Sequence, residues 1–89
     1  MYRANGDRYE GQFQDNRRHG SGIYFWANGD RYEGQWENGR QGGSGIKLWT
    51  NGERYVGLWR DGERDGVGTF YDSSGTAFEK LYRFGTSVD

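Results

Sequence analysis

The chain repeats itself every 23 residues, and no other property of the sequence restricts its fold as strongly. Tyr9-Glu10-Gly11-Gln12-Phe13 returns as Tyr32-Glu33-Gly34-Gln35-Trp36 and again as Tyr55-Val56-Gly57-Leu58-Trp59. A second block keeps the same step, as Gly20-Ser21-Gly22, Gly43-Ser44-Gly45 and Gly66-Val67-Gly68. So does a connecting segment, as Ala4-Asn5-Gly6-Asp7-Arg8, Ala27-Asn28-Gly29-Asp30-Arg31 and Thr50-Asn51-Gly52-Glu53-Arg54, with a degenerate copy at Ser74-Gly75-Thr76-Ala77-Phe78. No insertion interrupts the step between Asn5 and Gly75. One small unit stacked on its own copies is the architecture to expect.

Each period holds two runs that alternate with period two, Tyr-x-Gly-x-Trp and Gly-x-Gly-Ile-x-Phe/Leu, which is the pattern of β-strands. A helix is disfavoured, because glycine recurs inside every candidate segment at about 1 kcal/mol each. Asn-Gly between two such runs is a strong hairpin signal, since both residues tolerate positive φ. The other connection, Glu37 to Gly42, reads as a longer polar loop. The expected fold is all-β, an elongated single-layer antiparallel meander of tandem hairpins. Its units are residues 9–31, 32–54 and 55–77. A truncated N-terminal edge and turn (1–8) precedes them, and a degenerate half repeat or cap (78–89) follows. Met1 falls inside a repeat, which suggests a piece of a longer array.

A two-residue turn at Asn28-Gly29 would set Phe25 opposite Tyr32 and Ile23 opposite Gly34. One face would then collect Ile23, Phe25, Tyr32, Trp36, Ile46 and Leu48, continued by Tyr55, Trp59, Tyr71 and Phe78. Gly11, Gly34 and Gly57 would lie between those rings, leaving a trough in which aromatics rest on bare backbone. The opposite face would carry Arg8, Glu10, Arg31, Glu33, Gln35 and Arg54 together with Tyr24, Trp26, Trp49, Val56, Leu58 and Phe70. A bulged turn would shift the register by one residue and exchange half the set between faces.

Composition fits a thin sheet. Hydrophobic residues are only 31% of the chain, which is little for a compact core, yet 18% are aromatic and 17 residues are glycine. Four Trp, seven Tyr and five Phe argue against disorder. Without cysteine there is neither a disulfide nor a thiolate metal site. A net charge of −1 gives no general attraction to nucleic acid, so none is expected as a partner. With no long apolar run or leader visible, a cytoplasmic protein is expected.

The run Tyr32, Glu33, Gly34, Trp36, Asn38, Gly39, Gly43 and Gly45, followed by Asn51-Gly52, resembles the MORN repeat (membrane occupation and recognition nexus), and the likeness spans about residues 4 to 78. Similar repeats occur in plant phosphatidylinositol-phosphate kinases, junctophilins, alsin, radial-spoke proteins and apicomplexan cytoskeletal proteins. The resemblance implies protein binding, dimerisation, or association with membranes or the cytoskeleton. Phe13 and Asn16 depart from the pattern in the first copy, and Lys80 and Tyr82 in the last, so Glu79 to Phe84 is expected to cap the array.

Other chemistry finds little footing. His19 is the sole histidine and has no partners for catalysis or metal binding. Asp15, Glu37, Asp61, Glu63 and Asp65 interleave with arginines as a solvated rim would. Asp72-Ser73-Ser74-Gly75 lacks most ligands of a calcium loop. Gly20-Ser21-Gly22 and Gly42-Gly43-Ser44-Gly45 are not followed by the Lys and helix of a phosphate loop.

The expectation is therefore a non-enzymatic scaffold without cofactor or metal. A protein segment would lie along the aromatic face, on Tyr32, Trp36, Tyr55, Trp59, Phe25 and Leu48, and pairing of open edges would allow a homodimer. The alternatives are a peripheral membrane or phosphoinositide module, using Arg17, Arg18, Arg40 and Arg64 at the loop tips on anionic phospholipid, or an accessory segment of a larger enzyme.

Overall fold

The computed structural model describes residues 5–87, so the expectation of a truncated first edge falls in part outside the described residues. Eight strands run in sequence order: β1 (Arg8–Gln14), β2 (Arg17–Phe25), β3 (Arg31–Glu37), β4 (Arg40–Leu48), β5 (Arg54–Arg60), β6 (Glu63–Tyr71), β7 (Ala77–Arg83) and β8 (Thr86–Ser87). Each pairs antiparallel with the next in one open sheet. The expected meander is correct. The molecule measures 37 × 23 × 17 Å, a ribbon extended across its strands.

The two kinds of turn are the reverse of the sequence expectation. Glu37 pairs with Arg40, so Asn38-Gly39 is a two-residue turn with φ of 50° and 87° rather than part of a long loop. Asp15-Asn16, Asp61-Gly62 and Phe84-Gly85 turn in the same way. Both central residues at positive φ make a type I′ turn, whose twist matches that of the flanking strands. The Asn28-Gly29 connection is instead a three-residue loop. Trp26 N–H donates to the Asp30 carbonyl (3.0 Å) and Gly29 N–H to the Trp26 carbonyl (2.9 Å), with Gly29 at φ 100°. Its Asn28 side chain accepts from Asp30 N–H at 2.9 Å.

That one extra residue moves the register. Tyr24 faces Tyr32 and Gly22 faces Gly34, where Phe25 and Ile23 had been expected. Phe25, Ile23, Leu48, Ile46 and Tyr71 consequently sit on the reverse face, against Arg8, Arg31, Glu33 and Arg54. Tyr24, Trp26, Trp49 and Phe70 come round to join Tyr32, Trp36, Tyr55 and Trp59. Val56 and Leu58 stay on the reverse face, as expected.

The core is a single row of rings on this tyrosine face: Tyr9, Tyr24, Tyr32, Trp36, Tyr55, Trp59 and Tyr82. Glycine makes the row possible. Gly11 faces Gly22, Gly34 faces Gly45 and Gly57 faces Gly68 across neighbouring strands, while Gly22 also faces Gly34 and Gly45 faces Gly57. The result is a track of bare backbone across six strands. Tyr9, Tyr32 and Tyr55 lie along it, so close that a Cβ on Gly22, Gly45 or Gly68 would overlap their rings.

Successive units are stitched at the tips. Gly39 N–H donates to the Arg18 carbonyl (2.9 Å), Gly62 N–H to Gln41 (2.9 Å) and Gly85 N–H to Arg64 (3.0 Å). β7 and β8 continue this pattern, and Tyr82 fills the tryptophan position and is buried. This segment, expected as a half repeat or a cap, pairs on as two further strands.

Candidate functional site

Tyr32 and Tyr55 have no exposed surface, and Trp36 and Trp59 expose 4% and 8%. Their burial comes from each other. Tyr32 stands edge-on between Trp36 and Trp59, both at 5.2 Å, and Tyr55 stands edge-on to Trp59 (5.6 Å) and Tyr82 (5.4 Å). Such pairs add about 0.5–1.5 kcal/mol beyond area burial. Polar atoms are drawn inward. Trp36 Nε1 donates to the Gly22 carbonyl (3.2 Å) and Trp59 Nε1 to Gly45 (3.4 Å), while the Tyr9 and Tyr32 hydroxyls donate to Gln12 and Gln35 carbonyls at 2.8 and 2.9 Å. The Tyr55 hydroxyl makes no hydrogen bond of ordinary geometry, though it lies near the Leu58 backbone. Burial pushes the Tyr9, Tyr32 and Tyr55 hydroxyls above their ordinary 10.0.

Four of the six residues expected to touch a partner are thus the floor of the site, and the other two, Phe25 and Leu48, are on the far side of the sheet. What solvent meets on the tyrosine face is a set of half-exposed side chains, Trp26, Trp49, Phe70, Arg18, Lys47 and Arg64, with Lys80 and the exposed rings of Phe13 and Phe78 towards its two ends. Sequence reasoning missed Trp26, Trp49 and Lys47 because of the register. The signal that would have found them is the recurring glycine, since aligning Gly22 with Gly34 fixes the parity of both strands.

Cations lie over these rings. The Arg18 guanidinium is 4.8 Å from the Trp36 ring centre and 5.0 Å from Tyr24, and it donates to the Gly39 carbonyl (2.8 Å). The Lys47 ammonium lies 4.1 Å from Trp26 and 5.5 Å from Trp49. Arg64 lies 4.5 Å from Tyr82 and 5.7 Å from Tyr55. Burial lowers the Lys47 pKa, with Asp30 opposing this and Arg64 adding to it. Two adjoining clefts of about 150 and 230 Å³ flank Arg18, the first lined by Tyr9, Phe13, Arg17 and Tyr24, the second by Trp26, Trp36 and Gln41. Of the arginines expected at loop tips, only Arg17 and Arg40 flank a turn, whereas Arg18 and Arg64 belong to this aromatic surface. Among the described residues no group of three or more His, Cys, Asp or Glu side chains is placed to hold a metal ion.

The acids on this side are engaged in holding the loops. Asp7 is buried, accepting from the Tyr24 hydroxyl (2.5 Å) and Ala27 N–H (2.8 Å), and Asp30 accepts from Thr50 N–H (3.0 Å). Each ties one connecting loop to the corresponding loop of the next repeat, at a residue 20 positions further on.

An open sheet whose units share one aromatic row defines a tandem β-hairpin repeat protein, and this fixes the class. The chain belongs to the MORN repeat family, whose model matches residues 9–31, 32–54 and 55–77. No curated protein matches it. MORN repeats are associated with membrane and protein interaction.

Proposed function

We propose that the chain is a non-catalytic protein-binding module that holds a partner segment across its tyrosine face. The observation that carries this reading is the row of half-exposed rings, Trp26, Trp49 and Phe70, above a floor already closed by Tyr32, Trp36, Tyr55 and Trp59. Among the described residues no second layer covers them. Indole rings beside basic side chains over a rigid floor are what interaction hot spots are made of. The floor gives up no conformational freedom on binding, so contact area converts efficiently into affinity.

The test is an interaction screen run in parallel with the wild-type chain and a Trp26→Ser/Trp49→Ser pair. Neither residue is in the fully buried row, so circular dichroism and melting should show the pair folded. A partner captured by the wild type and lost by the folded pair supports the assignment. Equal capture by both would move the contact off this face.

A further inference from the structure

On the reverse face Arg8 is paired with Glu10 (3.9 Å) and Arg31 with Glu33 (3.5 Å), both on their own strands, and Arg54 lies over the Tyr71 ring. On the tyrosine face, by contrast, Arg18, Lys47 and Arg64 are in no ion pair among the described residues. They hold their places through rings and neutral oxygens, the Gly39 carbonyl for Arg18 and the Tyr82 hydroxyl for Arg64 (3.4 Å). Asp7 is bonded to Tyr24 and a loop amide, and Asp30, bonded to a loop amide, acts on Lys47 through its charge without reaching ion-pair distance. A chain with net charge −1 therefore presents one face on which cations and half-exposed rings alternate.

We infer that the segment held on the tyrosine face is acidic, with carboxylates that meet Arg18, Lys47 and Arg64 and apolar side chains that enter the clefts beside Arg18. This rests on the protein-binding function proposed above and gives its partner a chemistry. Basic segments are repelled by the three cations. Purely apolar ones would cover charges without satisfying them, which costs free energy. An acidic residue gains twice, from the charge and from the partly desolvated surroundings that strengthen it.

Arg18 and Arg64 stand at equivalent places of β2 and β6, and Lys47 stands on β4 between those strands, its ammonium sharing the Trp49 ring with the Arg64 guanidinium (5.5 and 5.9 Å). The 150 Å³ cleft between Tyr9, Phe13 and Tyr24 has room for one apolar side chain at the end of such a segment.

The experiment uses a random dodecapeptide phage library panned on the immobilised chain at physiological salt. The expected result is enrichment of Asp and Glu together with apolar residues. A synthetic copy of the leading dodecapeptide should bind Lys47→Gln about two- to five-fold more weakly, the range of one exposed charge pair, while Lys47→Arg retains the affinity. Substituting Arg18→Gln and Arg64→Gln as well should deepen the loss. If that triple variant does not fold, the Lys47 pair still decides the question. Enrichment of neutral or basic dodecapeptides, or a Lys47→Gln variant that binds the leading dodecapeptide as tightly as the wild type, overturns the acidic assignment while leaving the binding face in place. No enrichment over the bare support overturns the binding face itself.

Discussion

Replacing Gly45 by alanine adds one methyl group, and the structure says it should remove a large part of the stability of the fold. The new Cβ would lie less than 3.0 Å from the Tyr32 hydroxyl and ring. Tyr32 has nowhere to retreat, being fully buried, fixed edge-on between Trp36 and Trp59, and bonded to the Gln35 carbonyl at 2.9 Å. Expelling the ring costs about 3–5 kcal/mol, as loss of a buried aromatic does. Keeping it by shifting the strands costs about 1–3 kcal/mol. Against either stands about 0.5–1 kcal/mol gained because alanine restricts the unfolded chain. The net loss is thus roughly 0–2.5 kcal/mol if the strands shift and roughly 2–4.5 kcal/mol if the ring is expelled, to be set against a total of roughly 4–13 kcal/mol for a chain this size. Gly42→Ala is the control, since its Cβ would meet only the Glu37 side chain at an ordinary 3.6 Å and should leave stability unchanged or slightly raised. Urea titration followed by tryptophan fluorescence measures both. In a Tyr32→Leu background Gly45→Ala should lose most of its cost, because the ring it strikes is gone. Gly45→Ala within 1 kcal/mol of Gly42→Ala, or an undiminished cost without Tyr32, would refute the account of glycine as a bed for tyrosine.

Trp59→Phe keeps a ring but loses the donor to the Gly45 carbonyl and should cost about 1 kcal/mol, against about 3–5 for Trp59→Ala, read from thermal melts. Asp7→Asn weakens charge-assisted bonds to Tyr24 and Ala27 N–H and should cost about 1.5–3 kcal/mol in urea titration, an effect absent if those bonds are incidental. Burial raises the pKa of Tyr9, Tyr32 and Tyr55, so their contribution is whole below 10.0 and falls as pH climbs from there towards the folded values, where the unfolded chain releases protons first. Tyrosinate absorbance should rise together with loss of the sheet signal, and separate transitions would contradict the linkage. Arg17, Arg40, Arg60 and Arg83 are exposed beside the two-residue turns at about 1 kcal/mol each, but Asp15, Glu37, Asp61 and Glu63 are interleaved with them, so they should not hold the chain on anionic vesicles at physiological salt. Co-flotation under those conditions would show a lipid contact elsewhere.

The repeat, the strands and the glycine trough were legible in the sequence because each is written in spacing. The parity of the strands was not. Asn28-Gly29 and Asn38-Gly39 are the same dipeptide, yet one closes a three-residue loop and the other a two-residue turn. The difference lies in the neighbours. Asn28 caps Asp30 N–H, whereas Asn38 sits between paired Glu37 and Arg40. A single residue of turn length decides which rings form the floor and which face solvent, so Phe25 and Leu48 were assigned to the wrong side and Trp26 and Trp49 to the other. The cation row was hidden for a different reason. Arg18 and Arg64 occupy equivalent places two repeats apart, but Gln41 stands between them in the middle copy and Lys47 lies six residues further on, so only the folded sheet brings the three onto one surface.

The tip contacts, Gly39 to Arg18, Gly62 to Gln41 and Gly85 to Arg64, have a bearing on how such proteins change length over generations. Because each is made from one copy to the next and never further, a duplication of 23 codons inserts cleanly and every older junction survives. Reach is then counted in whole increments of about 10 Å, two strand spacings apiece. A gene lineage can tune this molecule as a measuring rod by copy number alone, with no need to redesign what is already standing.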